Sequence, residues 1–79
     1  MEKGARHMDL KLFTTPGCTP CIAVKRFAEA VPGCQIIDLR DQPEYTEQYS
    51  LTSTPTLIIN NTEVITVPNL IIERLQGLV

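Results

Sequence analysis

The residues of this 79-residue chain best equipped for covalent chemistry are its three cysteines, Cys18, Cys21 and Cys34. The first two form Cys18-Thr19-Pro20-Cys21, a spacing that puts two sulfurs one helical turn apart on the same face. If a helix opens there, its unpaired N–H groups and the positive end of its dipole stabilise negative charge on the leading sulfur. The thiol pKa then falls below its ordinary value and Cys18 becomes the nucleophile. Cys21 feels less of that field and can attack a mixed disulfide on Cys18, releasing a reduced product, so it is the resolving thiol. No imidazole is needed. The only histidine, His7, stands in an N-terminal stretch without apolar pattern, which leaves no candidate for a histidine base or a histidine metal ligand.

Two other uses of these cysteines compete with exchange. Cys18, Cys21 and Cys34, with Asp38 as an oxygen ligand, have a spacing that superficially suits zinc. Against it, a whole amphipathic helix follows the pair and no second Cys-x-x-Cys is present, so no metal is expected. A permanent structural disulfide needs an oxidising compartment. Three thiols in a chain without a signal peptide point instead to the cytoplasm. Cys34, directly after Pro32-Gly33, is either a regulatory or intermolecular thiol or a small, part-buried apolar side chain, and the second reading is preferred.

The surrounding pattern supplies the elements that must hold the pair. Asp9 to Thr14 reads as a strand stopped by Pro16-Gly17. From Thr19 to Val31, Ile22, Ala23, Phe27, Ala30 and Val31 recur at helical spacing as the buried stripe, with Lys25, Arg26 and Glu29 on the wet side. Pro20 fits the first turn, and Pro32-Gly33 ends the helix. Cys34 to Leu39 reads as a strand, Gln42 to Tyr49 as a short polar helix, and Thr56 to Ile59 as a strand. Asn60-Asn61 turns that strand into Glu63 to Val67 as a hairpin. Pro68 to Leu78 closes the chain as a helix burying Leu70, Ile71, Leu75 and Leu78. The order β-α-β-α-β-β-α predicts one four-stranded mixed sheet with helices on both faces, an α/β fold.

Composition narrows the function classes. Residues 1–7 read as an expression-tag remnant or a disordered terminus, ahead of a single domain over 8–79. The formal charge is −2, and no basic cluster exists to drive nucleic-acid binding by counterion release. Apolar runs such as Leu57-Ile58-Ile59 are far shorter than the roughly 20 residues of a membrane helix. Neither nucleic acid nor membrane is an expected partner.

Phe13-Thr14-Thr15-Pro16-Gly17-Cys18-Thr19-Pro20-Cys21, followed by Thr52-Ser53-Thr54-Pro55-Thr56 leading into Leu57-Ile58-Ile59, resembles the thioredoxin-like superfamily. Its small members, the glutaredoxins and glutaredoxin-like thioredoxins, are the specific likeness, over nearly all of Asp9 to Val79. The resemblance implies a minimal thioredoxin (glutaredoxin-like) fold. It also implies that Pro55 is cis and faces the cysteines, and that the backbone of Thr54 pairs with a substrate's chain. By position alone Pro55 reads as an ordinary trans proline opening a strand. Thr19 and Pro20, between the sulfurs, join Thr54 and Pro55 as expected substrate contacts.

The chain departs from both subfamilies. Thioredoxins place Trp before the first cysteine and a buried carboxylate on the preceding strand, where this chain has Gly17 and Leu12. Glutaredoxins often carry Pro-Tyr between the cysteines, a lysine at the position of Thr15, and Gly-Gly-x-x-Asp where this chain reads Thr66-Val67-Pro68-Asn69. No charge stands in that segment to grip glutathione, although Lys11 or Arg40 can contribute from elsewhere. The expectation is a monomeric electron carrier that reduces protein disulfides and binds no cofactor beyond its own Cys18–Cys21 disulfide. Its expected electron source is a flavoenzyme of the thioredoxin-reductase type. The alternatives are a glutathione-coupled enzyme and a non-catalytic, redox-switched binding module.

Overall fold

Residues 10 to 14 alternate aliphatic and other side chains and are rich in strand formers, and they build strand β1 (Leu10–Thr14). In the computed structural model, which describes residues 9–78, β1 is followed by α1 (Thr19–Glu29), β2 (Cys34–Asp38), α2 (Glu44–Gln48), β3 (Thr56–Ile59), β4 (Glu63–Ile65) and α3 (Pro68–Gln76). The expectation of a tag or disordered terminus at 1–7 falls outside the described residues. The strand order is β2-β1-β3-β4. β1 runs parallel to β2, with Leu10 beside Cys34 and Thr14 beside Asp38. β1 and β3 are antiparallel, as are β3 and β4. The β3–β4 hairpin turns through Asn60 and Asn61, both at positive φ (55° and 60°), a region that asparagine tolerates better than most residues.

Both faces of the central strands are covered. Leu10, Leu12, Leu57 and Ile59 point to one side and pack with Val24, Ala28 and Val31 of the α1 segment and Ile71 and Leu75 of α3. Phe13, Ile37 and Ile58 point to the other side and meet Tyr45, Tyr49, Leu39 and Leu51 around α2. Every residue of β3 is buried, as expected for a strand sandwiched between helices. Each fully buried aliphatic side chain contributes about 1.5–3 kcal/mol of transfer free energy. Among the described residues no helix is long and apolar enough to cross a membrane.

The expected helical stripes need correction. In α1 the buried residues are Cys21, Val24 and Ala28, with Val31 just beyond, whereas Ile22, Ala23 and Ala30 are exposed and Phe27 is half-buried. In α3, Ile71 and Leu75 are buried but Leu70 is 50% exposed. α1 has two apolar stripes side by side. Turning Val24 and Ala28 toward β1, β2 and α3 rotates Ile22 and Ala23 away from the sheet.

Candidate active site at the head of helix α1

Cys18 is the N-cap of α1, with extended backbone angles (φ −87°, ψ 104°), and its Sγ accepts the N–H of Cys21 at 3.3 Å. One of the orphan donors of the first turn is thus aimed at this sulfur. Pro20 occupies the first turn, where it costs no intrahelical bond. Gly17 holds φ +79°, the left-handed turn that lets β1 hand the chain over to the helix. Gly17→Ala places a Cβ on that backbone and is expected to cost about 1–2 kcal/mol, read as a lowered urea midpoint.

Cys18 and Cys21 are joined in a disulfide with Cα atoms 5.2 Å apart. The two sulfurs are not equivalent. Cys21 is 2% exposed, on the buried face of α1, while Cys18 is only half-buried. The loop before β3 closes over the other side. The Thr54–Pro55 bond is cis, Pro55 is buried, and the carbonyl oxygen of Thr54 lies 3.7 Å from Cys18 Sγ. The hydroxyls of Thr15 and Thr54 meet at 2.9 Å, tying the cysteine loop to the proline loop. Thr56 donates its hydroxyl to the carbonyl of Ser53 at 2.7 Å and stiffens the same turn. Thr19 and Pro20 are exposed beside the sulfurs.

Solved structures share this arrangement of elements. The thioredoxin-like protein BC3987 is 29% identical, with a TM-score of 0.65 over 89% of this chain and 99% of that one. The chain has a small thioredoxin-like fold. The thioredoxin Mala s 13 of Malassezia sympodialis, at 15% identity, matches with a TM-score of 0.71 over 92% of this chain and 76% of its own. The alkylhydroperoxide reductase component AhpF of Enterococcus faecalis, at 16% identity, matches with a TM-score of 0.76 over the whole of this chain and 44% of its own. A scan of protein-family models and a search of curated proteins found no match.

On this thioredoxin-like frame the sequence candidates separate. Cys18, Cys21, Thr54, Pro55, Thr19 and Pro20 converge at the end of the sheet where β1 and β2 finish. Cys34 begins β2 at the other end, four residues of strand or ~13 Å away. Asp38 is at the near end, so the four residues weighed for zinc are divided between the two ends and form no single ligand set. Lys11 is engaged by Asp9, its Nζ donating to both carboxylate oxygens at 2.6–2.7 Å, which raises its pKa. Arg40 instead borders a hollow of about 260 Å³ next to the cysteines, together with Ile22, Lys25 and Asp38. That Ile22 and Lys25 border the sulfurs, and that Thr15 bonds Thr54, is not legible in the sequence, since only the crossing of β1, α1 and β2 brings them there.

Cys34 packs its half-buried side chain against the core face shared by α1 and α3. Burial raises its thiol pKa. A raised folded-state pKa keeps its stabilising effect below the unfolded thiol's value, about 8.5, and loses it as pH climbs through the folded value. Stability of the reduced protein is therefore expected to decline above about pH 8.5. Cys34→Ala should flatten that slope in urea titrations.

Proposed function

We propose that this chain is a thiol–disulfide oxidoreductase that reduces disulfides of protein substrates. The observation that carries the reading is the asymmetry of the pair: the half-buried sulfur of Cys18 caps the helix and receives a backbone N–H, while that of Cys21 is buried behind it. In the reduced protein the Cys18 thiolate attacks one substrate sulfur, forming a mixed disulfide and expelling the other as a thiolate that takes up a proton. Cys21 gives up its proton and attacks Cys18 Sγ, so the second substrate thiol leaves and the intramolecular disulfide forms. Two electrons pass to the substrate, and an external dithiol or flavoenzyme must return them. The carbonyl of Thr54, beside Cys18, is the group proposed to pair with the substrate backbone, with Thr19, Pro20 and Pro55 forming the contact surface.

Glutathione is the second reading for the electron source, favoured by Arg40 and Lys25 at the edge of the hollow beside the cysteines. Recycling by glutathione and its reductase, with no turnover on a thioredoxin-reductase-type flavoenzyme, would select it.

The test is trapping. Cys21→Ser should accumulate a covalent complex with an oxidised protein substrate, stable on non-reducing gels and released by dithiothreitol. In the reduced protein, alkylation of Cys18 should reach half its maximal rate at least a pH unit below that of Cys34. An unactivated Cys18, or no trapped complex, would overturn the reading.

A further inference from the structure

The outward side of α1 exposes apolar residues, Ile22, Ala23 and Ala30, among its charged ones. Ile22 is 60% exposed and borders three adjoining depressions. One of about 260 Å³ contains the redox cysteines, Lys25 and Arg40. A second is shared with Lys25, Arg26 and Glu29. The third is a groove of about 700 Å³ formed with Ala23, Phe27 and Ala30. One continuous surface therefore leads from the sulfurs down the helix.

Charge is unevenly distributed around it. Lys11 and Arg74 are neutralised by Asp9 and Glu63. Lys25, Arg26 and Arg40 make no ion pair with another described residue, and the carboxylates beside them are Glu29 and Asp38. The exposed acids Glu44 and Glu47 lie on α2 instead, while Asp41 follows Arg40 in the turn after β2. Along α1 this surface thus carries a positive excess, Lys25 and Arg26 against Glu29, on a chain whose formal charge is −2.

We infer that the face formed by Ile22, Lys25, Arg26 and Arg40 docks a protein partner that presents carboxylates and an apolar side chain next to its disulfide. This rests on the exchange chemistry proposed for Cys18 and Cys21. Ile22 supplies apolar contact one turn from the nucleophile, and the cations steer an oppositely charged partner toward it. Lys25 and Arg26 stand roughly 10–12 Å along the helix from Cys18, about one Debye length at moderate salt. That distance corresponds to about three or four extended residues of a partner's chain. A symmetric pairing of two copies through this face is disfavoured, because it would bring like charges together.

The test uses the full reduced chain and two synthetic oxidised peptides. Each has one disulfide and a leucine beside it, with either three glutamates or three lysines placed three to four residues from the cysteine. At low salt the glutamate peptide is expected to react about tenfold faster, and the ratio should collapse in 0.5 M salt, where the Debye length falls to about 4 Å. Lys25→Glu combined with Arg26→Glu should bring the ratio to one or below, and any change in thiol reactivity cancels in that ratio. Ile22→Ser should slow both peptides. Equal rates, a preference for the lysine peptide, or glutathione disulfide outpacing the glutamate peptide would overturn the docking surface. Uncharged hydroxyethyl disulfide separates the two levels: no exchange with it sinks the oxidoreductase reading, whereas exchange without any charge preference between the peptides sinks only the docking surface.

Discussion

Cys18→Ser is expected to abolish protein-disulfide reduction, leaving only the background rate of the dithiothreitol that supplies electrons, measured as the turbidity of reduced insulin. A hydroxyl at this position is a far weaker nucleophile than a helix-capped thiolate and cannot form a mixed disulfide at all. The fold should survive the change. Cys18 is the N-cap of α1 and its side chain accepts the Cys21 N–H, a duty that serine performs at least as well. Loss of activity with a near-native circular dichroism spectrum would therefore report chemistry rather than unfolding. Turnover undiminished in this variant would mean that the sulfur at the helix mouth is not the reacting atom.

Phe13→Ala is expected to cost about 3–5 kcal/mol, the range for deleting a buried aromatic ring. Total stability for a domain of this size is only about 5–10 kcal/mol, so the variant should unfold at a much lower urea concentration. Phe13 has no exposed surface, and its ring lies 5.5 Å from both Tyr45 and Tyr49, which stack on each other at 5.8 Å. α2 has nothing else of comparable strength to hold it. It is five residues long, has no side-chain cap bond, and buries none of its own residues. An isolated helix of that length does not persist in water, so its place on the sheet depends on the aromatic cluster over Phe13. Phe27→Ala, at a half-buried ring on α1, should cost less than half as much. Similar costs for the two variants would show that the α2 side of the sheet is not built on Phe13.

Reading the residues in order recovers the element sequence, the hairpin at Asn60-Asn61 and the cysteine pair at a helix start, because each is written in local chemistry. Period-two and period-3.6 patterns need only neighbouring residues. Glycine at positive φ, proline in a first turn and asparagine in the left-handed region are constraints of single backbone units. The meeting of Cys18 with Thr54–Pro55, 36 residues later, was implied by resemblance. Position alone favoured an ordinary trans proline there.

Tertiary structure decided which of two apolar stripes on α1 is core. Cys21, Val24, Ala28 and Val31 satisfy helical spacing as well as Ile22, Ala23, Phe27 and Ala30 do, and a helix considered alone has no reason to prefer one. The choice follows from docking against the sheet and α3, where Val24 and Ala28 join Leu12, Leu57, Ile59, Ile71 and Leu75 in one buried cluster. The same rotation exposes Ile22 beside Cys18 and gathers Lys25, Asp38 and Arg40 around the sulfurs. Local sequence therefore determined that a Cys-x-x-Cys pair stands at a helix mouth. Which side chains surround that pair was set by the packing of helix on sheet, because close packing is a property of two surfaces at once and neither carries it alone.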